Sequence, residues 1–217
     1  MTMAIKPILF STPMVQAIMD GRKTMTRRVI KSKWFAQWQD IGFTDEFIKD
    51  PENRLLELSR YKVGDILWVR ETYFRETCES DCSGRTDENE CPFMRMGESC
   101  YGYKAQYTTG EGDLKIKWRP SIFMPKEACR LFLRVTAVRA ERVTQITEED
   151  AIREGCRPGD RYLGEKSTPA MTAKQSFMWL WQMLNSKRGY DWCLEPWVWV
   201  YTFERCDRPQ GWPDGEG

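Results

Sequence analysis

The run Trp197-Val198-Trp199-Val200-Tyr201-Thr202-Phe203 is apolar at both its odd and its even positions. Successive strand residues point to opposite faces, so this run must be covered on both. It predicts a central, buried strand. The chain has 217 residues, which is room for one domain with a substantial core around that strand. A helix is expected from Ser11 or Thr12, with Pro13 at its start, Met14, Val15, Ala17 and Ile18 on one side, and Gly21 ending it. Thr44-Asp45-Glu46 opens a short helix in the polar stretch from Trp34 to Asp50. Tyr61 to Asp65 reads as a turn feeding a strand from Ile66 to Arg70. Leu131, Leu133 and Val135 alternate with Phe132, Arg134 and Thr136 in a second strand period. Thr147-Glu148-Glu149-Asp150 caps a helix ending near Gly155, and Thr172 caps a longer one with Phe177, Leu180, Trp181 and Leu184 on one face. Short strands and interspersed helices, without βαβ alternation, predict an α+β fold built on a small mixed barrel with flanking helices. The expected organisation is a single domain over 1–205, a Cys-rich insertion at 75–112 within it, and a flexible tail at 206–217.

The chemistry is bounded by zero histidines beside eight cysteines. No Ser-His-Asp triad, Cys-His dyad or His-ligated metal can be built. Acid-base work falls to Lys, Glu, Asp, Tyr or Cys. Residues 1–14 carry only the short apolar run Ile8-Leu9-Phe10, between Pro7 and Pro13. That is neither a signal sequence nor a membrane span, so a cytoplasmic protein with reduced thiols and no membrane partner is expected.

The formal net charge of +1 argues against binding nucleic acid by bulk charge. Charge is concentrated, however, in Gly21-Arg22-Lys23-Thr24-Met25-Thr26-Arg27-Arg28 and the following Lys31 and Lys33, six cations without an acid. Either this segment faces phosphates, with Thr24 and Thr26 adding hydroxyl donors, or it is a solvated charged turn.

These blocks together resemble the ASCH domain family. The similarity rests on the helix followed by Gly21 to Arg27, the Val63-Gly64-Asp65 strand start, and the helix after Thr147. It extends to Lys6 through Thr12, Trp118-Arg119-Pro120-Ser121-Ile122, and Asn185 to Glu204, and is greatest to phage and prophage ASCH proteins. The resemblance implies a PUA-like barrel and a partner that is RNA, single-stranded nucleic acid or a modified nucleoside. It implies the cytosol of a bacterium or phage-infected host. The chain departs from the pattern at Phe123, where such proteins often have His.

Within that family, small N4-acetylcytidine amidohydrolases use a Lys, a Thr three residues on, and a Glu from a later helix. On this resemblance the three fall on Lys23, Thr26 and Glu154. A Thr hydroxyl needs a base to become nucleophilic, and Lys, with a reference pKa of about 10.4, needs burial or like charges to act as one. Glu154 would orient Lys23 or protonate the leaving amine. The alternative is a Lys23–Glu154 ion pair that closes the fold, with Thr26 an ordinary strand residue. Arg22, Thr24, Arg27 and Arg28, with Trp68 and Arg70 from the strand, are the candidate contacts to substrate or nucleic acid. A non-catalytic nucleic-acid reader, or a phage accessory protein docking a host partner, would use the same chain differently.

Cys78-x3-Cys82-x8-Cys91-x8-Cys100 lies in a polar segment without core periodicity. A structural four-thiolate zinc site would give that segment a reason to fold; free thiols or disulfides are the alternatives. No organic cofactor is expected. Cys129, Cys156, Cys193 and Cys206 are scattered single thiols. Trp34 and Trp38 follow the basic run and, with Trp68, are candidates for stacking on bases; the other tryptophans read as core.

Overall fold

The structure, a computed structural model, describes residues 3–31, 44–50, 54–77, 99–106, 116–162, 165–166 and 171–213. Its strands and helices follow one another irregularly, in an α+β arrangement. The first half contains β1 (Ile5–Leu9), α1 (Thr12–Met19), β2 (Met25–Val29), α2 (Asp45–Lys49), β3 (Ile66–Arg70), β4 (Tyr73–Thr77) and β5 (Ser99–Tyr103). The second half adds β6 (Phe132–Arg142), α3 (Glu148–Arg153), β7 (Asp160–Tyr162), β8 (Glu165–Lys166), α4 (Ala173–Asn185) and β9 (Trp197–Cys206).

Five strands make one sheet in the order β1-β3-β6-β9-β2, while β4 with β5 and β7 with β8 form separate pairs. This corrects the expected barrel. Closure would require the two end strands to pair, and among the described residues β1 and β2 do not; the sheet is open. The doubly apolar run does occupy an interior strand. Trp197 through Tyr201 and Phe203 are buried in β9, which pairs antiparallel with β2 in the register Thr26–Tyr201, Arg27–Val200 and Arg28–Trp199.

The chain forms two compact units. The first comprises Met1–Lys6, Ala17–Leu67 and Leu133–Arg205. Its two best-marked helix starts are capped as the sequence indicates: the Thr147 hydroxyl accepts from the Asp150 N–H, and Thr172 forms a reciprocal box with Gln175. Glu148 adds a link between those helices, its carboxylate accepting from the backbone N–H groups of Ala173 at 2.6 Å and Lys174 at 3.0 Å. Helix α4 buries Phe177, Leu180 and Trp181; Leu184, expected on the same face, is exposed. The Asp65 turn is held by three donors, Lys6 Nζ, Lys62 N and Ala4 N. Burial opposes ionisation there, but these bonds outweigh it and hold the Asp65 carboxyl below its ordinary value.

The second unit comprises Pro7–Gln16, Trp68–Phe132 and Cys206–Gly217. The expected insertion starts inside a hairpin, because β4 and β5 pair from Tyr73 with Tyr103 out to Thr77 with Ser99. The Phe74 ring lies over Gly102, where any Cβ would collide with it. The expected flexible tail also carries a core residue. Trp212 is buried, packs on Trp68 at 5.6 Å and Phe132 at 5.2 Å, and donates its indole N–H to the Lys126 carbonyl. Among the described residues no helix is long and apolar enough to cross a membrane.

Candidate functional site

The basic segment lies against the C-terminal end of α3. A helix leaves its last carbonyls without intrahelical partners, and cations are favoured there. Three consecutive residues satisfy three consecutive carbonyls: Arg22 Nη1 donates to Gly155 O at 3.2 Å, Lys23 Nζ to Glu154 O at 2.8 Å, and Thr24 N to Arg153 O at 2.9 Å. Gly155, at φ +93°, turns the chain away, and a Cβ on it would lie 3.1 Å from the Ala17 Cβ and 3.3 Å from the Lys23 Cβ. Local helix chemistry and close backbone approach therefore fix Lys23.

Lys23 is 2% exposed and Glu154 4% exposed. Lys23 Nζ donates to Glu154 Oε2 at 2.7 Å and to Met25 O at 2.8 Å, besides the Glu154 carbonyl. Burial pushes the Lys23 pKa below its ordinary value, against the Glu154 carboxylate, which pulls it up. Glu154 Oε1 accepts from Arg27 Nη1 at 3.2 Å, so both its oxygens are engaged.

Arg27 is the centre of a buried charge network. Its guanidinium donates to Glu141 Oε1 at 2.9 and 2.6 Å and to Asp150 Oδ2 at 2.6 Å, and lies 5.7 Å from the Phe177 ring centroid. Arg139 bridges the same two acids, meeting Glu141 at 2.9 Å and Asp150 at 2.5 Å. Although burial opposes it, Glu154 and Glu141 hold the Arg27 pKa above its usual value. Among the described residues, ion pairs thus join Lys23, Arg27 and Arg139 to Glu141, Asp150 and Glu154.

Strand alternation separates the remaining candidates. Met25 and Arg27 share one face of β2, and the Arg27 guanidinium reaches Met25 Sδ at 3.4 Å. Thr26 and Arg28 take the other face, where Thr26 stands opposite Tyr201. Tyr201 is itself hydrogen-bonded to the Ser59 hydroxyl at 2.9 Å and meets Tyr61 edge-on at 5.0 Å. Thr26 is buried, and among the described residues its hydroxyl bonds neither Lys23 nor Glu154. Arg28 is half-buried; burial depresses its pKa, against Tyr61, Glu154 and Tyr201, which raise it.

The expected site residues therefore divide. Lys23, Arg27 and Glu154 are brought into one network. Arg22 binds Asp20 as well as Gly155 O, and the Thr24 hydroxyl accepts from Arg153 Nε at 3.4 Å. Trp68 and Arg70 make their contacts within the second unit: Trp68 is buried against Trp212, and Arg70 lies over the Trp68 ring at 5.2 Å and donates to the Ile122 carbonyl. That burial removes Trp68 from the candidates for base stacking. Trp34, Trp38, Cys78, Cys82 and Cys91 lie outside the described residues; Cys100 stands opposite Glu76 on β5. Among the described residues no three or more His, Cys, Asp or Glu side chains are arranged so as to hold a metal ion; Glu141, Asp150 and Glu154 converge on Arg27 instead.

Glu141, Asp150 and Arg139 escape the sequence reading. Asp150 reads only as part of a cap, and the one available signal for the others is the charged pair Arg139 and Glu141, two residues apart on a strand that is otherwise largely apolar around its buried positions. No family model, curated protein or solved structure matches the chain.

Proposed function

We propose that this chain is an ASCH-type, PUA-like protein that binds a nucleoside or single-stranded nucleic acid and hydrolyses N4-acylated cytidine through Lys23, Thr26 and Glu154. The observation that carries the reading is the 2.7 Å contact between Lys23 Nζ and Glu154 Oε2, nearly sealed from water. The family resemblance pairs the same two residue types, here 131 positions apart.

In the proposed reaction, the shared proton first moves from Lys23 to Glu154, giving a neutral amine beside a carboxylic acid. Burial favours the neutral amine at Lys23. The amine takes the Thr26 hydroxyl proton as Oγ1 attacks the acyl carbonyl. The C–N bond then breaks, Glu154 gives its proton to the leaving cytosine amine, and an acyl-threonine remains. Water cleaves the ester, releasing the carboxylic acid and restoring Thr26. Arg27 keeps Glu154 oriented throughout.

The direct test is conversion of N4-acetylcytidine to cytidine and acetate, followed by chromatography. Thr26→Val, which keeps the side chain's shape and removes only the hydroxyl, should abolish turnover. Absence of turnover in the wild type, or undiminished turnover in Thr26→Val, overturns the reaction. A second reading, a reader that binds without reacting, is favoured by the engagement of both Glu154 oxygens, by Lys23 and by Arg27. It predicts saturable nucleoside binding with no cytidine formed.

The cysteine-bearing segment is proposed to hold one structural zinc through Cys78, Cys82, Cys91 and Cys100. Pairing of Thr77 with Ser99 brings the two ends of that segment together, as a closed thiolate site requires. Elemental analysis of protein purified without chelator should give one equivalent of zinc; less than half an equivalent refutes it.

A further inference from the structure

Among the described residues of the second unit the most exposed large apolar side chain is Phe123, 68% accessible, next to Ile122 at 59%. Neither sits on a loose tip. Residues Ser121–Phe123 form a single 3-10 turn, closed by Phe123 N donating to Pro120 O at 3.0 Å. Side chains from the neighbouring strands hold the turn's next carbonyls: Arg70 Nη2 donates to Ile122 O, and the Tyr73 hydroxyl donates to Phe123 O at 2.9 Å. Arg119 is fixed as well, exchanging backbone hydrogen bonds with Tyr73 at 3.2 and 2.7 Å. The turn is thus built to present an aromatic ring at a set position while leaving it in water. What sets Ile122 and Phe123 apart from ordinary exposed apolar residues is that they adjoin on a turn whose carbonyls are held by Arg70 and Tyr73.

The charge around the ring narrows the partner. Residues 116–126 contain Lys117, Arg119 and Lys126, all exposed, and no acid. The nearest acid in sequence, Glu127, accepts from the Tyr101 hydroxyl at 3.3 Å. A fixed aromatic face among cations matches a polymer that alternates flat bases with phosphates, and stacking on an unpaired base is tolerant of sequence.

We propose that the 116–126 loop is a binding surface for single-stranded nucleic acid, with Phe123 stacking on a base and Lys117, Arg119 and Lys126 contacting flanking phosphates. The turn is held before binding, so little ordering cost is added when the ring is covered. The inference rests on the nucleic-acid-binding part of the function proposed above and not on hydrolysis: it fails if oligonucleotides do not bind, whereas the reaction fails if N4-acetylcytidine is not converted.

The experiment is fluorescence anisotropy of the full chain with labelled oligo-rU and oligo-dT of about ten nucleotides, across a salt series. Phe123→Ala should weaken binding about fivefold or more, the scale of one base stack. Phe123→Tyr should retain wild-type affinity, and Phe123→Leu should behave like Phe123→Ala. Neutralising Lys117, Arg119 and Lys126 together to Gln should flatten the dependence of log affinity on log salt, by about 0.7 for each phosphate no longer neutralised. Preference for rU over dT would identify RNA as the partner, and equal binding would identify single strands generally. Undetectable binding by the wild type, unchanged binding in Phe123→Ala, or full rescue by Phe123→Leu would each overturn the proposal.

Discussion

Glu154 holds Lys23 twice, through its backbone carbonyl at 2.8 Å and its carboxylate at 2.7 Å. One residue thus ends a helix and neutralises the cation that covers that end. Breaking a buried pair by removing one partner leaves the other charge stranded, at a cost of about 3–5 kcal/mol. Lys23→Met leaves Glu154 its 3.2 Å bond to Arg27 alone, and is expected to lower stability by about 3 kcal/mol, the low end of that scale, in urea denaturation. Adding Glu154→Gln to it should cost less than the two single effects summed, because the doubly substituted site buries no stranded charge.

Gly155 and Gly159 offer a matched comparison. Both have positive φ, +93° and +85°, but a Cβ meets Ala17 and Lys23 at Gly155 and open space at Gly159. Gly159→Ala should cost about 1 kcal/mol of backbone strain. Gly155→Ala should cost more, since it adds a contact at 3.1 Å, and it should reduce any turnover because Lys23 must give way. Equal losses from thermal or urea unfolding would show that the close approach is unimportant.

Tyr201 gives a dependence on alkaline pH. Burial pushes its phenol up from 10.0 to about 12, helped by Tyr61 and opposed by the Ser59 hydrogen bond. The native state keeps a proton that the unfolded chain has lost, so this contribution is complete below pH 10 and disappears between 10 and 12. Urea midpoints measured at pH 9 and 11 should fall less in Tyr201→Phe than in the wild type. At pH 9 that variant should lose about 1 kcal/mol, the value of a buried hydrogen bond.

The scattered cysteines should separate by reactivity. Burial pushes the Cys129 thiol up to about 12, while Cys193 is exposed. Thiolate is the reactive form, so alkylation at pH 8 with peptide mapping should label Cys193 rapidly and Cys129 only after unfolding. Rapid labelling of Cys129 in native protein would contradict its position between the Val69 and Leu131 carbonyls.

Features set by neighbouring residues were legible in the sequence. The two-sided apolar run locates β9, and the Thr147 and Thr172 caps locate α3 and α4, because each depends on a few consecutive side chains. Arg27 was misleading for the opposite reason. Its charge reads as available for phosphate, but its partners Glu141, Asp150 and Glu154 stand 114, 123 and 127 positions away. Only strand pairing and helix docking bring them in. Strand number and length likewise suggested a barrel, whereas closure depends on whether the end strands meet. Trp212 shows the limit of composition: surrounding Pro and Gly resemble a tail, and one aromatic cluster with Trp68 and Phe132 is enough to bury it.

The β4–β5 stem makes the chain tolerant of replacement at one place. Thr77 and Ser99 are cross-strand partners, so the polypeptide departs and returns at adjacent points. Whatever lies between them can lengthen, shorten or be exchanged at little topological cost to the stem. Substituting a two-residue Asn-Gly connection for 78–98 should leave the β4–β5 register in place. The cysteine-bearing segment can therefore be exchanged without moving the strands that carry it or the charge network around Arg27.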